Sequence, residues 1–148
     1  MPLSHTLTVT VDRPYRQVDT FMSDPKNFGK WAAVVPGTYR KQEGGDWLAE
    51  VTFGGVRHIR FVPGLGNGIY DHAVFRPGEI PLFMPMRAMR YGEKTEVRFT
   101  FVQRSDMSVD SFHDTIACIT RDLTRLKDAI EADYYSTDQV NNVFAFRA

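Results

Sequence analysis

The chain ends on one long amphipathic stripe, and that stripe limits what the rest can fold into. Val109, Phe112, Ile116, Ile119, Leu123, Leu126 and Ile130 recur at alternating spacings of three and four, which is one apolar face of an α-helix. From Thr38 to Gln103 the pattern is of strands punctuated by Gly and Pro. A single helix following a long antiparallel sheet buries its stripe most economically across the sheet's inner face. A curved sheet that grips a helix tends to enclose a pocket, so the chain reads as a container of α+β class.

The helix is expected to start at Ser108, a good cap, with Asp110 in the first turn where the helix dipole favours it. It is expected to run to about Asp133, roughly 25 residues or ~38 Å at 1.5 Å per residue. Asp122, Arg125 and Asp128 stand three apart and read as an ion-pair ladder on its solvated side. Tyr134–Ala148 has no clear periodicity. This tail, with Tyr134, Tyr135, Val143, Phe144 and Phe146, is expected to pack on its own domain or on a second subunit.

Upstream, His5, Leu7, Val9 and Val11 alternate with threonines, the pattern of a half-buried strand. Asp12-Arg13-Pro14 then opens a short helix with Val18, Phe21 and Met22 on one face. Asp24-Pro25 caps and starts a second, on which Phe28 and Trp31 share a face. Six strands are expected to follow: Thr38–Glu43, Trp47–Phe53, Val56–Val62, Ile69–Phe75, Leu82–Arg90 and Thr95–Gln103. Pro81 and Pro85 make the fifth weak or place it at an edge. The segment Gly64–Gly68 neither follows a strand into a helix nor cradles phosphate; it reads as a loop suited to cover a pocket mouth.

Composition excludes several classes. At 148 residues the chain is one domain with room for one substantial core. Its formal net charge is zero, so no global field favours nucleic acid or an anionic membrane. With Cys118 as the only cysteine, no internal disulfide and no cysteine-based zinc site can form. His5, His58, His72 and His113 lack close ligand spacing with carboxylates, so no metal and no cofactor is expected. No apolar run reaches the ~18 residues of a membrane span, and no basic region precedes an apolar one at the start, so a cytoplasmic protein without membrane insertion is expected.

The order strand, two short helices, meander and long helix resembles the helix-grip fold of the START-like superfamily, also called SRPBCC. That superfamily includes polyketide cyclases, aromatase-like proteins, lipid-transfer domains and the birch-pollen-allergen family. Asp12 to Pro14, Val18, Phe21, Asp24-Pro25, Phe28 and Trp31 look like its first helices. The segments Gly68–Val74, Pro85–Arg87, Thr95–Phe101, and Met107-Ser108 through Phe112, Asp114, Arg121–Leu123 and Glu131 are similar to a bacterial SRPBCC subfamily. The resemblance covers about residues 5–133, with 134–148 as a tail outside it. It implies a cavity between sheet and final helix that holds a hydrophobic small molecule, such as a lipid, a polyketide or an aromatic metabolite. It also admits cyclase or dehydratase chemistry, or a protein-interaction role as in relatives that activate heat-shock chaperones, and a homodimer.

Three groups of residues are candidates for the site. Asp71 and His72 are adjacent on a strand, so they point to opposite faces and cannot form a same-face dyad. If Tyr70, His72 and Val74 face inward, His72 is the polar group of the pocket; if Ile69, Asp71 and Ala73 do, Asp71 is. The alternative for either is a hydrogen-bonded structural residue at the strand's end. Arg87 could pair with a ligand carboxylate, or else guard a sheet edge. The soft or aromatic Met84, Met86, Phe99, Phe101 and Phe112, with Tyr70, Ile116 and Ile119, are candidate ligand contacts that could equally be core.

Overall fold

The computed structural model describes the backbone of residues 1–145 and the side chains of residues 1–132. The tail side chains expected to pack, from Tyr134 to Phe146, lie outside those described.

Strand β1 spans Ser4–Val11. Helix α1 (Tyr15–Met22) starts directly after Pro14, whose φ of −62° suits a helix entrance, and it buries Val18, Phe21 and Met22. A 3₁₀ helix, Pro25–Lys30, follows, with the Asp24 carboxylate accepting the Lys26 N–H at 3.0 Å. Then come β2 (Arg40–Lys41), β3 (Trp47–Glu50), β4 (Val56–Phe61), β5 (His72–Phe75), β6 (Leu82–Met84), β7 (Met86–Tyr91) and β8 (Lys94–Val102). Helix α2 spans Val109–Ala145 and so runs past Asp133, where the sequence pattern places its end. It is capped as expected: Ser108 Oγ accepts the Ser111 N–H at 3.1 Å.

All strand pairs are antiparallel and fall into two ladders, β1-β8-β7 and β2-β3-β4-β5-β6. The expected strand Leu82–Arg90 is divided between them. Pro85 has no N–H to donate, and the chain bends there, so that β6 pairs with β5 while β7 pairs with β8. The seam is closed by other bonds. Tyr70 N–H donates to Met86 O at 3.0 Å, and Thr100 N–H donates to Pro85 O at 3.3 Å. The Asp71 carboxylate takes the Met86 N–H at 2.9 Å.

Helix α2 packs on β1, α1 and the 3₁₀ helix. Phe112, Ile119, Leu123, Leu126 and Ile130 of its stripe are buried, whereas Val109, at the first turn, is exposed. The Gly64–Gly68 loop does not cover the pocket mouth. It is tied to α1: Gly68 N–H donates to Asp19 Oδ1 at 3.0 Å, and Tyr70 Oη–H donates to the same oxygen at 2.6 Å. Gly68 has φ +80° and no room for a side chain, since a Cβ there would lie 2.9 Å from Ala88 O.

Candidate functional site

A pocket of about 490 Å³ lies between the five-stranded ladder, the 3₁₀ helix and α2. Strand register builds its sheet wall. Ile59, Val74 and Leu82 are direct neighbours across β4, β5 and β6, and His72 and Met84 are paired one step along β5 and β6. Side chains at such paired positions share a face. Phe28 of the 3₁₀ helix and Trp31 just after it add another wall, and Phe99 one from β8. The turn after β3 brings Phe53 to the rim, where the Arg57 guanidinium sits 5.3 Å from the centre of its ring.

His72 is the polar group on this apolar wall, and only 4% of it is exposed. Its ring lies against Phe28 at 5.3 Å and Phe61 at 5.8 Å, with Trp31 and Phe99 farther out at 6.3 and 6.4 Å. Burial in this setting pushes its pKa down to about 4, although Tyr70 O and Asp71 favour the charged form. The imidazole is therefore neutral at physiological pH. Its Nδ1 stands 3.0 Å from Tyr70 O.

No family model matches the chain, and no curated protein matches it. Solved structures do. XoxI from Bacillus cereus superposes with a TM-score of 0.69 at 13% identity, covering 86% of this chain and 94% of that one. A START superfamily protein from Mycobacterium smegmatis gives 0.66 at 13% identity, covering 87% and 97%. The Aha1 dimer from Colwellia psychrerythraea gives 0.66 at 13% identity, covering 87% and 96%. The chain has the START-like helix-grip fold. DynU16, from the dynemicin biosynthetic locus, shares it with a TM-score of 0.66 at 14% identity over 86% of this chain and 47% of its own.

Within this helix-grip frame the sequence candidates separate. His72, Met84, Phe99 and Ile119 stand on the pocket wall. Tyr70 is buried on the inward side of its segment but turns to Asp19 beneath α1, where burial and that carboxylate raise its phenol pKa. Met86 and Phe101 are enclosed in the core away from the pocket, and Phe101 stacks on Phe112 at 5.8 Å. Ile116 is half-buried on α2 outside the pocket lining. Asp71 points away from the pocket and pairs with Arg87, and the same carboxylate oxygen holds Met86 N–H. Asp71 and Arg87 thus sit together at the seam between the two ladders. Their separation from His72 follows from strand alternation.

A second wall was hidden in the helix sequence. Ser111, Asp114, Thr115, Cys118, Arg121 and Asp122 follow one another at helical spacing beside the apolar stripe, and all six line the pocket. Asp122 is not on the solvated side, for its side chain is only 15% exposed. It pairs with Arg125, as the spacing suggested, while Arg125 Nε donates to Trp31 O at 3.0 Å and ties α2 to the 3₁₀ helix. Burial outweighs Arg125 and Arg121 and pushes the Asp122 carboxyl up to about 7. Burial also raises the neighbouring Cys118 thiol, with Asp122 adding to the effect, so this cysteine is a weak nucleophile. The polar stripe beside the apolar one was the available signal. It reads as a solvated face until the sheet's curvature is known.

Proposed function

We propose that the chain binds one small hydrophobic molecule, of lipid, polyketide or aromatic kind, between its sheet and α2. The observation that carries this reading is the unfilled space itself. A pocket of about 490 Å³ falls within the ~300–1,000 Å³ usual for small-molecule sites. Its aromatic and aliphatic sheet wall suits an apolar body, and the polar stripe on α2 suits a ligand with some oxygen at its edge. The Colwellia protein's dimer makes a second copy of this chain the protein partner to look for.

A ligand that binds only the folded chain raises its stability, by about 2.7 kcal/mol at a hundred times Kd. Thermal-shift and native mass-spectrometry screens against fatty acids and aromatic polyketides should therefore give hits. Ile119 is buried on the helix wall of the pocket. An Ile119→Trp chain, with its pocket filled, should lose binding at least tenfold while its far-UV circular dichroism is unchanged. Full retention of affinity would place the ligand elsewhere.

One observation favours a second reading, a cyclase- or dehydratase-like enzyme. Asp122, raised to about 7 on the pocket wall, is suited to exchange a proton near neutral pH. The neutral His72 faces the same space. Asp71 and Arg87 take no part in this version, because they engage each other at the ladder seam.

A further inference from the structure

The sheet wall of the pocket carries one imidazole, and the hydrogen bond behind it determines which of its nitrogens meets a ligand. A backbone carbonyl only accepts, so the 3.0 Å contact between His72 Nδ1 and Tyr70 O places the ring's proton on Nδ1. Nε2 of the neutral ring then holds a bare lone pair. No hydrogen bond to Nε2 exists among the described residues, yet Nε2 is not among the fully enclosed unpartnered polar atoms. The ring edge therefore has access to open space, and His72 lines the pocket.

Resting on the ligand-binding reading above, we propose that His72 Nε2 is a dedicated acceptor for a hydroxyl of the ligand, so that the site selects neutral phenols or alcohols over ketones and ethers of the same shape. A ketone or ether would set its own lone pairs against Nε2 and leave a buried acceptor without a partner. A ligand carboxylate would do the same with added charge. An ammonium could donate, but it would surrender its hydration among Phe28, Phe61, Trp31 and Phe99. Sites built to hydrogen-bond a hydroxyl discriminate strongly against analogues that lack it.

The test uses matched pairs: 2-naphthol with 2-methoxynaphthalene, and 4-phenylphenol with 4-methoxybiphenyl. Titration calorimetry on the intact chain should show each phenol binding about tenfold tighter than its ether. In His72→Phe the preference should disappear, each phenol binding no tighter than its ether. If that variant does not fold, the ¹⁵N spectrum of the imidazole in the unaltered chain serves instead. It should show Nε2 unprotonated, and its resonance should move when a phenol binds and stay when an ether does. Equal affinity for both members of every pair would overturn this inference and leave the binding reading standing. It would mean that Nε2 is served by water in the small void of about 10 Å³ that His72 also borders. If no member of the panel binds while fatty acids do, the hydroxyl preference fails alone. If nothing apolar binds at all, both readings fall.

Discussion

Replacing Asp71 with alanine should lower the free energy of unfolding by about 3 kcal/mol and leave the affinity of the pocket for its ligand unchanged. Asp71 is 8% exposed, and its carboxylate accepts both the Met86 N–H and the Arg87 guanidinium. Removing a buried acceptor strands the Met86 amide, which costs about 1–3 kcal/mol. The pair with Arg87 adds up to ~1 kcal/mol, because the arginine is half exposed and water screens it. The loss falls on the seam between the ladders, where Pro85 leaves no backbone donor to share. Urea denaturation measures the stability, and calorimetry with any ligand found by screening measures the binding. Arg87→Ala should cost much less, since it leaves Met86 N–H satisfied. A stable Asp71→Ala chain that has lost binding would return Asp71 to the site.

That contrast shows where sequence is informative. Strand alternation by itself puts Asp71 and His72 on opposite faces, and the stripe from Phe112 to Ile130 identifies the helix that the sheet grips. The helix start was legible because Ser108 is a local cap whose chemistry needs no tertiary context. What was not legible depends on curvature and long-range register. Met84 reaches the pocket while Met86 is core, although they sit two apart in a segment that looks like one strand, because the bend at Pro85 sends them to different ladders. Asp122 looks solvated in the sequence because its spacing to Arg125 and Asp128 suits an exposed ladder. The sequence does not show that Arg125 also donates to Trp31 O and holds the end of the 3₁₀ helix against this turn of α2. Likewise the Gly-rich loop has the composition of a lid, but Asp19 holds it against α1.

His72 and Asp122 should drive stability in opposite directions as pH falls, and single variants should separate them. The folded-state pKa of His72, about 4, lies below its ordinary value of 6.5. Between those values the unfolded chain binds the extra proton, so His72 makes stability rise with pH across that window, by about 3 kcal/mol in all. Asp122 has the reverse displacement, from 3.8 up to about 7. Here the folded chain holds the extra proton, so stability falls as pH rises through the window, by about 4 kcal/mol at most. In the unaltered chain the two trends largely cancel between pH 7 and 4. In Asp122→Asn the compensation is gone, and denaturant titrations should show a steep loss of stability over that range, with a gain near pH 8 over the unaltered chain. In His72→Phe the opposite slope should appear, with the chain firmest near pH 4. The charged neighbours are few: Asp71 beside His72, and Arg121 and Arg125 beside Asp122, with the Cys118 thiol between helix turns. An Asp122→Asn chain with the same acid profile as the unaltered one would show that its carboxyl is ionised throughout, held by Arg125, and would remove the proton donor on which the enzymatic reading depends.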